Sequence, residues 1–312
     1  MMDRGSSAER WPDFLLIGAP KAGTTALYKA LSRHPDIYPS KEKEPRYFAF
    51  RGARPHFNGP GGDVIASSIV SEDSDYLALF ADCPPGKTTG EASTAYLHSE
   101  TAPGEARARI PGARIIAVLR HPVDRGYSQW LHMLQEGLEK EKRFEKAWGL
   151  GKKRLAKGWA PLWAYRERGF YGQQLQRWLA HFPAEQVLIL FYEEWLTEPD
   201  RVLARVCRHL GIDDVQLPRV TRENVSSRQP RWKWLHHRMV GRNALRRWAQ
   251  NNLPLVVRDA ITWTVTFFNL KTGPSLDTEL KARLTLEFHD DLVLLEQLAG
   301  TDLSHWRSGN RK

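Results

Sequence analysis

Short apolar runs recur along the chain, and each gives way to loop or helix signals. Three of them, FLLIG at 14–18, RIIAVLR at 114–120 and VLILFYE at 187–193, are apolar nearly throughout instead of alternating, the pattern of strands buried on both faces. KTTGEAS at 87–93 is a weaker fourth candidate. Amphipathic helices lie between them. In GFYGQQLQRWLAHF, Leu175, Trp178, Leu179 and Phe182 share one face at helical spacing. A last helix is expected over roughly Asp277–Leu298, with Leu280, Leu284, Phe288, Leu292, Leu295 and Leu298 on its apolar face, before the closing TDLSHW. Strands alternating with helices predict an α/β fold, a central parallel sheet with helices on both faces. No internal repeat or low-complexity linker breaks the pattern. A single domain is therefore expected over 13–308, between tails at 1–12 and 309–312 that carry too little apolar surface to pack.

The first strand leads into the clearest chemical signal, FLLIGAPKAGTTALYKAL from Phe14 to Leu31. An apolar strand reaches Gly18, a tight loop follows, and a helical pattern starts near Thr24. Such a unit points backbone N–H groups and a helix N-terminus at an anion, which makes the sheet P-loop-like. The candidates are Lys21, Ala22, Gly23, Thr24 and Thr25. A triphosphate loop, however, has its lysine directly after the last glycine, whereas here Thr24 follows Gly23 and Lys21 sits inside the loop. A kinase or ATPase also needs an acid holding Mg²⁺ at a strand end. The second central strand ends in VLRHP, which puts Arg120 there instead.

Arg120 opens RHPVDRGYS. Pro122 turns the chain out of the strand, and Ser128 falls about two turns into the helix that follows. A guanidinium fork and a hydroxyl so placed can hold one phosphate at the C-terminal edge of the sheet, where α/β folds bind ligands. In KEKEPRYFAF, Pro45 fixes a turn and Tyr47, Phe48 and Phe50 anchor it, leaving Lys43 and Glu44 at the mouth of the site. GEASTAY at 90–96 is a fourth loop at a strand end.

Composition narrows the class. The 312 residues are 41% hydrophobic and 26% charged, ordinary for a globular chain. No apolar run spans a bilayer and the N-terminus lacks the apolar core of a signal peptide, so the expected compartment is the cytoplasm, or the Golgi lumen if an anchor precedes the sequence. Two cysteines, Cys83 and Cys207, exclude a disulfide scaffold or a cysteine-rich metal site. The sequon at Asn224 is read as chance. A net charge of +10, from 46 Lys+Arg against 36 Asp+Glu, favours anionic partners. The basic, tryptophan-rich 228–250 segment admits a nucleic-acid binder as a rival. A basic surface around the acceptor is preferred, with no nucleic acid expected.

Taken together, PKAGTTAL, KEPRYF, GEASTAYL and VLRHPVDRGYSQW resemble the sulfotransferases that use 3′-phosphoadenosine 5′-phosphosulfate (PAPS), nearest to the heparan-sulfate-type and bacterial carbohydrate branch. GFYGQQLQRWL, FYEEWLTEP and DLSHW extend the resemblance over nearly the whole chain. It implies that Lys21, Gly23, Thr24 and Thr25 hold the 5′-phosphosulfate, that Arg120 and Ser128 clamp the 3′-phosphate, and that no metal is needed. Glu44 matches the general base of the heparan-sulfate 3-O branch, with His98, His121 and His132 as rivals. The implied chemistry is in-line transfer of a sulfuryl group to an acceptor hydroxyl, possibly on a glycan, releasing adenosine 3′,5′-bisphosphate. One departure stands out: the position after Pro45 is often histidine in that branch and here is Arg46. The C-terminal cysteine pair of the Golgi enzymes is also lacking, which favours a bacterial or cytosolic relative.

Overall fold

The computed structural model describes residues 9–215, 228–230, 270–272 and 275–307. The sequon at Asn224, nearly all of the 228–250 segment and most of both expected tails lie outside the described residues. The chain clusters into two compact units where the sequence predicts one domain: Met1–Glu223 with Asp277–Lys312, and Asn224–Leu276. In the smaller unit, Arg228–Pro230 pairs antiparallel with Leu270–Thr272.

The larger unit is built on a five-stranded sheet of order β2-β3-β1-β4-β5, parallel throughout. The strands are β1 (Phe14–Leu16), β2 (Ile37–Pro39), β3 (Thr88–Ala92), β4 (Arg114–Leu119) and β5 (Val187–Phe191). Consecutive residues of a strand face opposite sides, so the burial of Phe14, Leu15 and Leu16 alike means that both faces of β1 are covered. The four expected strands are present. The missed strand is β2, three residues ending in Pro39 at the sheet edge, too short for a periodic signal and tolerant of a residue that cannot donate.

From β1 the chain goes to β2 at the edge, returns to β3 beside β1, and then crosses to β4 and β5 on the other side. The boundary between β1 and β4 is thus the switch point, and the loops leaving all five strands emerge at one edge. Helix α1 (Thr24–Leu31) follows β1, α2 (Tyr47–Phe50) follows the turn after β2, and α3 (Pro122–Gln135) follows β4. Helix α4 (Tyr171–Leu179) buries Leu175 and Trp178 as its apolar stripe requires. Two helices follow β5, α5 (Tyr192–Thr197) and α6 (Pro199–Leu210).

The last expected helix is two. Asp277 caps α7 (Thr278–Thr285) through Leu280 N at 2.8 Å, a 3₁₀ turn covers Leu286–Phe288, and α8 (His289–Ala299) continues. The turn shifts the phase, so Leu284, Phe288, Leu292 and Leu295 are buried while Leu280 and Leu298 are only half-buried. Trp11, inside the tail expected over 1–12, packs on Tyr47 and Tyr76, and its carbonyl accepts from Thr89 Oγ1 at 3.1 Å. Among the described residues no helix is long and apolar enough to cross a membrane.

The β1–β4 ladder continues past the strands, with Ile17 N donating to Ile116 O and Ala19 N to Val118 O, each at 2.8 Å. Gly18 lies between, and a Cβ there would stand 2.6 Å from Val118 N and 2.7 Å from Val118 O. Only glycine allows that approach, because backbone cannot rotate aside. Gly18→Ala is expected to destabilise by about 1–3 kcal/mol in urea denaturation. At Gly149, where a Cβ meets nothing within 4 Å, the same change should be neutral or stabilising.

Candidate functional site

The loop 19–23 leaves the tight β1–β4 junction and turns into α1. Lys21 adopts a left-handed backbone conformation (φ 66°), as does Gly23 (φ 88°), so the turn is closed by two residues in a region that side chains disfavour. Ala22 and Thr24 are buried, while Lys21, Gly23 and Thr25 are half-buried. A Cβ on Gly23 would come within 3.0 Å of the Tyr192 ring and 3.4 Å of Trp195, so the loop is packed beneath α5.

Arg120, at the end of β4, joins the loop directly. Its Nη1 donates to the Lys21 carbonyl at 3.0 Å, and its guanidinium lies over the Tyr192 ring at 4.8 Å from the centroid. No carboxylate lies within ion-pair distance of Arg120 among the described residues. Burial, and then the charge of Arg120, pull the Lys21 ammonium down to about 8, with Glu136 opposing. Ser128, on α3, is buried and its hydroxyl finds no partner among the described residues. The Glu136, Asp124 and Glu193 carboxylates act on these cations from beyond ion-pair distance, which leaves the two cations and the Ser128 hydroxyl without a directly bonded anion among the described residues.

Glu44 occupies a separate position, beyond β2 at the end of β3. Its N donates to Ala92 O at 2.9 Å and its backbone is left-handed (φ 63°), as is that of Arg46 (φ 60°). The carboxylate is held by Thr94, whose N donates to Oε2 at 3.0 Å and whose hydroxyl lies 3.2 and 3.3 Å from the two oxygens. Lys43 Nζ stands 3.1 Å from Oε1 and Arg46 Nε 3.9 Å from Oε2. Ser93 Oγ accepts from Arg46 N at 3.0 Å, so the loops after β2 and β3 are tied together, as the placement of GEASTAY suggested. Glu91, one strand position earlier, is core: it accepts from the Tyr76 and Tyr96 hydroxyls, and burial pushes its carboxyl up to about 7.

The three histidines separate. His98 is half-buried, with Nδ1 2.6 Å from Ala95 O, and burial drives its pKa well down. His121 is tied to the Trp306 carbonyl at 3.1 Å and burial lowers it to about 4, so the closing DLSHW uses this ring as a structural anchor. His132 is half-buried, and burial followed by the Lys21 charge lowers it. It alone of the three is coupled to Lys21. The sequence did not single out Tyr192, Trp195, Thr94 or Arg168. Tyr192 follows β5 at the same sheet edge as Arg120, the one signal that could have found it.

A lysine held at about 8 should reveal itself chemically. In competitive acylation, Lys21 is expected to reach half-reactivity near pH 8, well below surface lysines. Arg120→Met should move that midpoint upward, because a like charge is removed while burial remains. An unchanged midpoint would show that the two cations do not face each other.

The family model described as "Sulfotransferase family" matches residues 79–216, which include Glu91, Thr94, Arg120 and Ser128. The bifunctional heparan sulfate N-deacetylase/N-sulfotransferase 1 of Mus musculus is 32% identical over 218 residues, covering 66% of this chain and 23% of its own length. The type 3 enzyme of Homo sapiens is 32% identical over 215 residues, with 66% of this chain and 23% of its own covered. The chain thus spans less than a quarter of the length of these relatives. Among solved structures, a sulfotransferase from Alicyclobacillus acidocaldarius superposes with a TM-score of 0.74 at 27% identity, covering 96% of this chain and 99% of its own. On the family model, the 32% identity to these relatives and a superposition over nearly the whole chain, this protein belongs to the sulfotransferase family.

Proposed function

We propose that the chain transfers a sulfuryl group from PAPS to a hydroxyl of a carbohydrate acceptor. The observation that carries this reading is the bond between the Lys21 loop and Arg120, which joins two cations at the switch point with no carboxylate within ion-pair distance of Arg120 among the described residues. A nucleotide with one phosphate at each end of its ribose suits two such positions, whereas a triphosphate would call for a metal-holding acid. Lys21, Gly23, Thr24 and Thr25 bind the 5′-phosphosulfate. Arg120 and the Ser128 hydroxyl, which has no partner among the described residues, hold the 3′-phosphate.

Little covalent chemistry falls to the protein in such a displacement, so positioning and charge carry it. The acceptor oxygen forms its bond to sulfur as the bond from sulfur to the bridging oxygen breaks, and adenosine 3′,5′-bisphosphate leaves. Lys21 regains its full charge beside the bound anion and stabilises the leaving phosphate more as its charge grows. Glu44 takes the hydroxyl proton. Lys43 and Arg46 favour a polyhydroxyl or anionic glycan, in keeping with the heparan sulfate named for the relatives. Arg46, which departs from the family's usual histidine, contributes charge there and no proton transfer.

Adenosine 3′,5′-bisphosphate is expected to raise the melting temperature in chelator, with a gain in stability of roughly 2.7 kcal/mol at about 100 times Kd. A shift seen only after adding Mg²⁺ would point to a kinase, and retention on DNA at physiological salt to a nucleic-acid binder. Arg120→Ala should weaken nucleotide binding about tenfold or more and erase preference for the 3′-phosphate.

Glu44→Gln keeps the shape of the side chain but cannot take the proton. Transfer of radiolabelled sulfate to a glycan library should fall by about 10²–10⁴ in this variant, with nucleotide affinity nearly unchanged. Near-normal turnover would reassign the base, and His132 would be the histidine to test.

A further inference from the structure

Arg168 is an arginine in the wrong surroundings for a structural ion pair. It sits in the 3₁₀ turn Glu167–Gly169, ahead of α4, and is only 5% exposed. No carboxylate among the described residues lies within ion-pair distance, and its Nε is buried without a partner. An interior guanidinium left so costs stability, and only a specific contact justifies keeping it. Burial, and then the charge of Arg125, pull its pKa down to about 9, while the Glu44 carboxylate opposes both.

The contact it does make is to the Thr94 carbonyl, from Nη2 at 3.0 Å. Thr94 is therefore gripped at two points. Its carbonyl is fixed by Arg168, and its amide and hydroxyl are spent on the two oxygens of Glu44. Glu44 needs such a grip, because its own backbone sits in the left-handed region and its loop is not part of the sheet. Lys43 and Arg46 also face the carboxylate, but both come from the same loop and move with it. Thr94 and Arg168 come from different elements and supply an outside reference.

We propose that Arg168 is a positioning residue for sulfuryl transfer: by holding the Thr94 carbonyl it fixes the amide and hydroxyl that aim Glu44 at the acceptor. The proposal rests on the reading of Glu44 as the base. Arg168 touches neither the nucleotide loop nor Arg120 by hydrogen bond, so its effect should appear in turnover and not in nucleotide binding.

The test compares Arg168→Met, Arg168→Lys and Thr94→Val, each alone and with Glu44→Gln. The readouts are kcat with PAPS and a glycan acceptor, and Kd for adenosine 3′,5′-bisphosphate by calorimetry. Arg168→Met should lower kcat about tenfold or more while Kd stays within about twofold, and Arg168→Lys should recover part of the loss. In the Glu44→Gln background Arg168→Met should cost nothing further, since the group it positions is already disabled. If Arg168→Met does not fold, Thr94→Val, which removes only the hydroxyl, should give a smaller loss with the same dependence on Glu44. An impaired Glu44→Gln on which Arg168→Met or Thr94→Val imposes its full loss again would overturn the positioning role and leave the base intact. Full turnover in Glu44→Gln would overturn both.

Discussion

Parallel strands that share one direction deliver their C-terminal ends to one edge, and in this chain the innermost pair is packed until no side chain separates them. The backbone of Gly18 lies against that of Val118, and the ladder continues on either side of it through Ile17 and Ala19. Everything chemical hangs from this junction. Lys21 lies two residues beyond Ala19 and Arg120 two residues after Val118, the residues that Ala19 N and Val118 O tie together, so the bond between them follows from register. A sheet that opened here by an ångström would separate the two cations before it disturbed the hydrophobic core.

The same edge is divided by charge. On the β1–β4 side stand Lys21 and Arg120, with the Ser128 hydroxyl unpartnered among the described residues, a set that an anion would complete. On the β2–β3 side stands Glu44, already supplied with an amide, a hydroxyl and two cations. One half is preorganised to receive negative charge, and the other keeps a carboxylate in a single orientation. That separation is what a transfer reaction between two oxygens requires. The group that departs as an anion and the group that gives up a proton need opposite surroundings.

How far the fold and the site are legible in the sequence depends on the kind of physics involved. β1, β4 and β5 announce themselves because burial on both faces leaves an unbroken apolar run. β2 does not, because three edge residues leave no pattern. Lys21 and Arg120 can be placed from strand ends alone. Thr94 and Arg168 cannot. Thr94 serves through its backbone amide as much as its hydroxyl, and Arg168 is indistinguishable from a surface arginine until its burial is known. Tyr192 is hidden because stacking under Arg120 depends on the spacing of β4 and β5 and not on local sequence. The break at Leu286–Phe288 is hidden because leucines at helical spacing survive a 3₁₀ turn with only a change of phase.

Among the described residues, the three other than glycine with left-handed backbone, Lys21, Glu44 and Arg46, all belong to the two halves of this edge. Such conformations cost on the order of 1 kcal/mol or more apiece, and glycine would relieve them. Selection for heat resistance alone would therefore be drawn to these positions first, so the two halves of this edge are where the fold has stability left to gain.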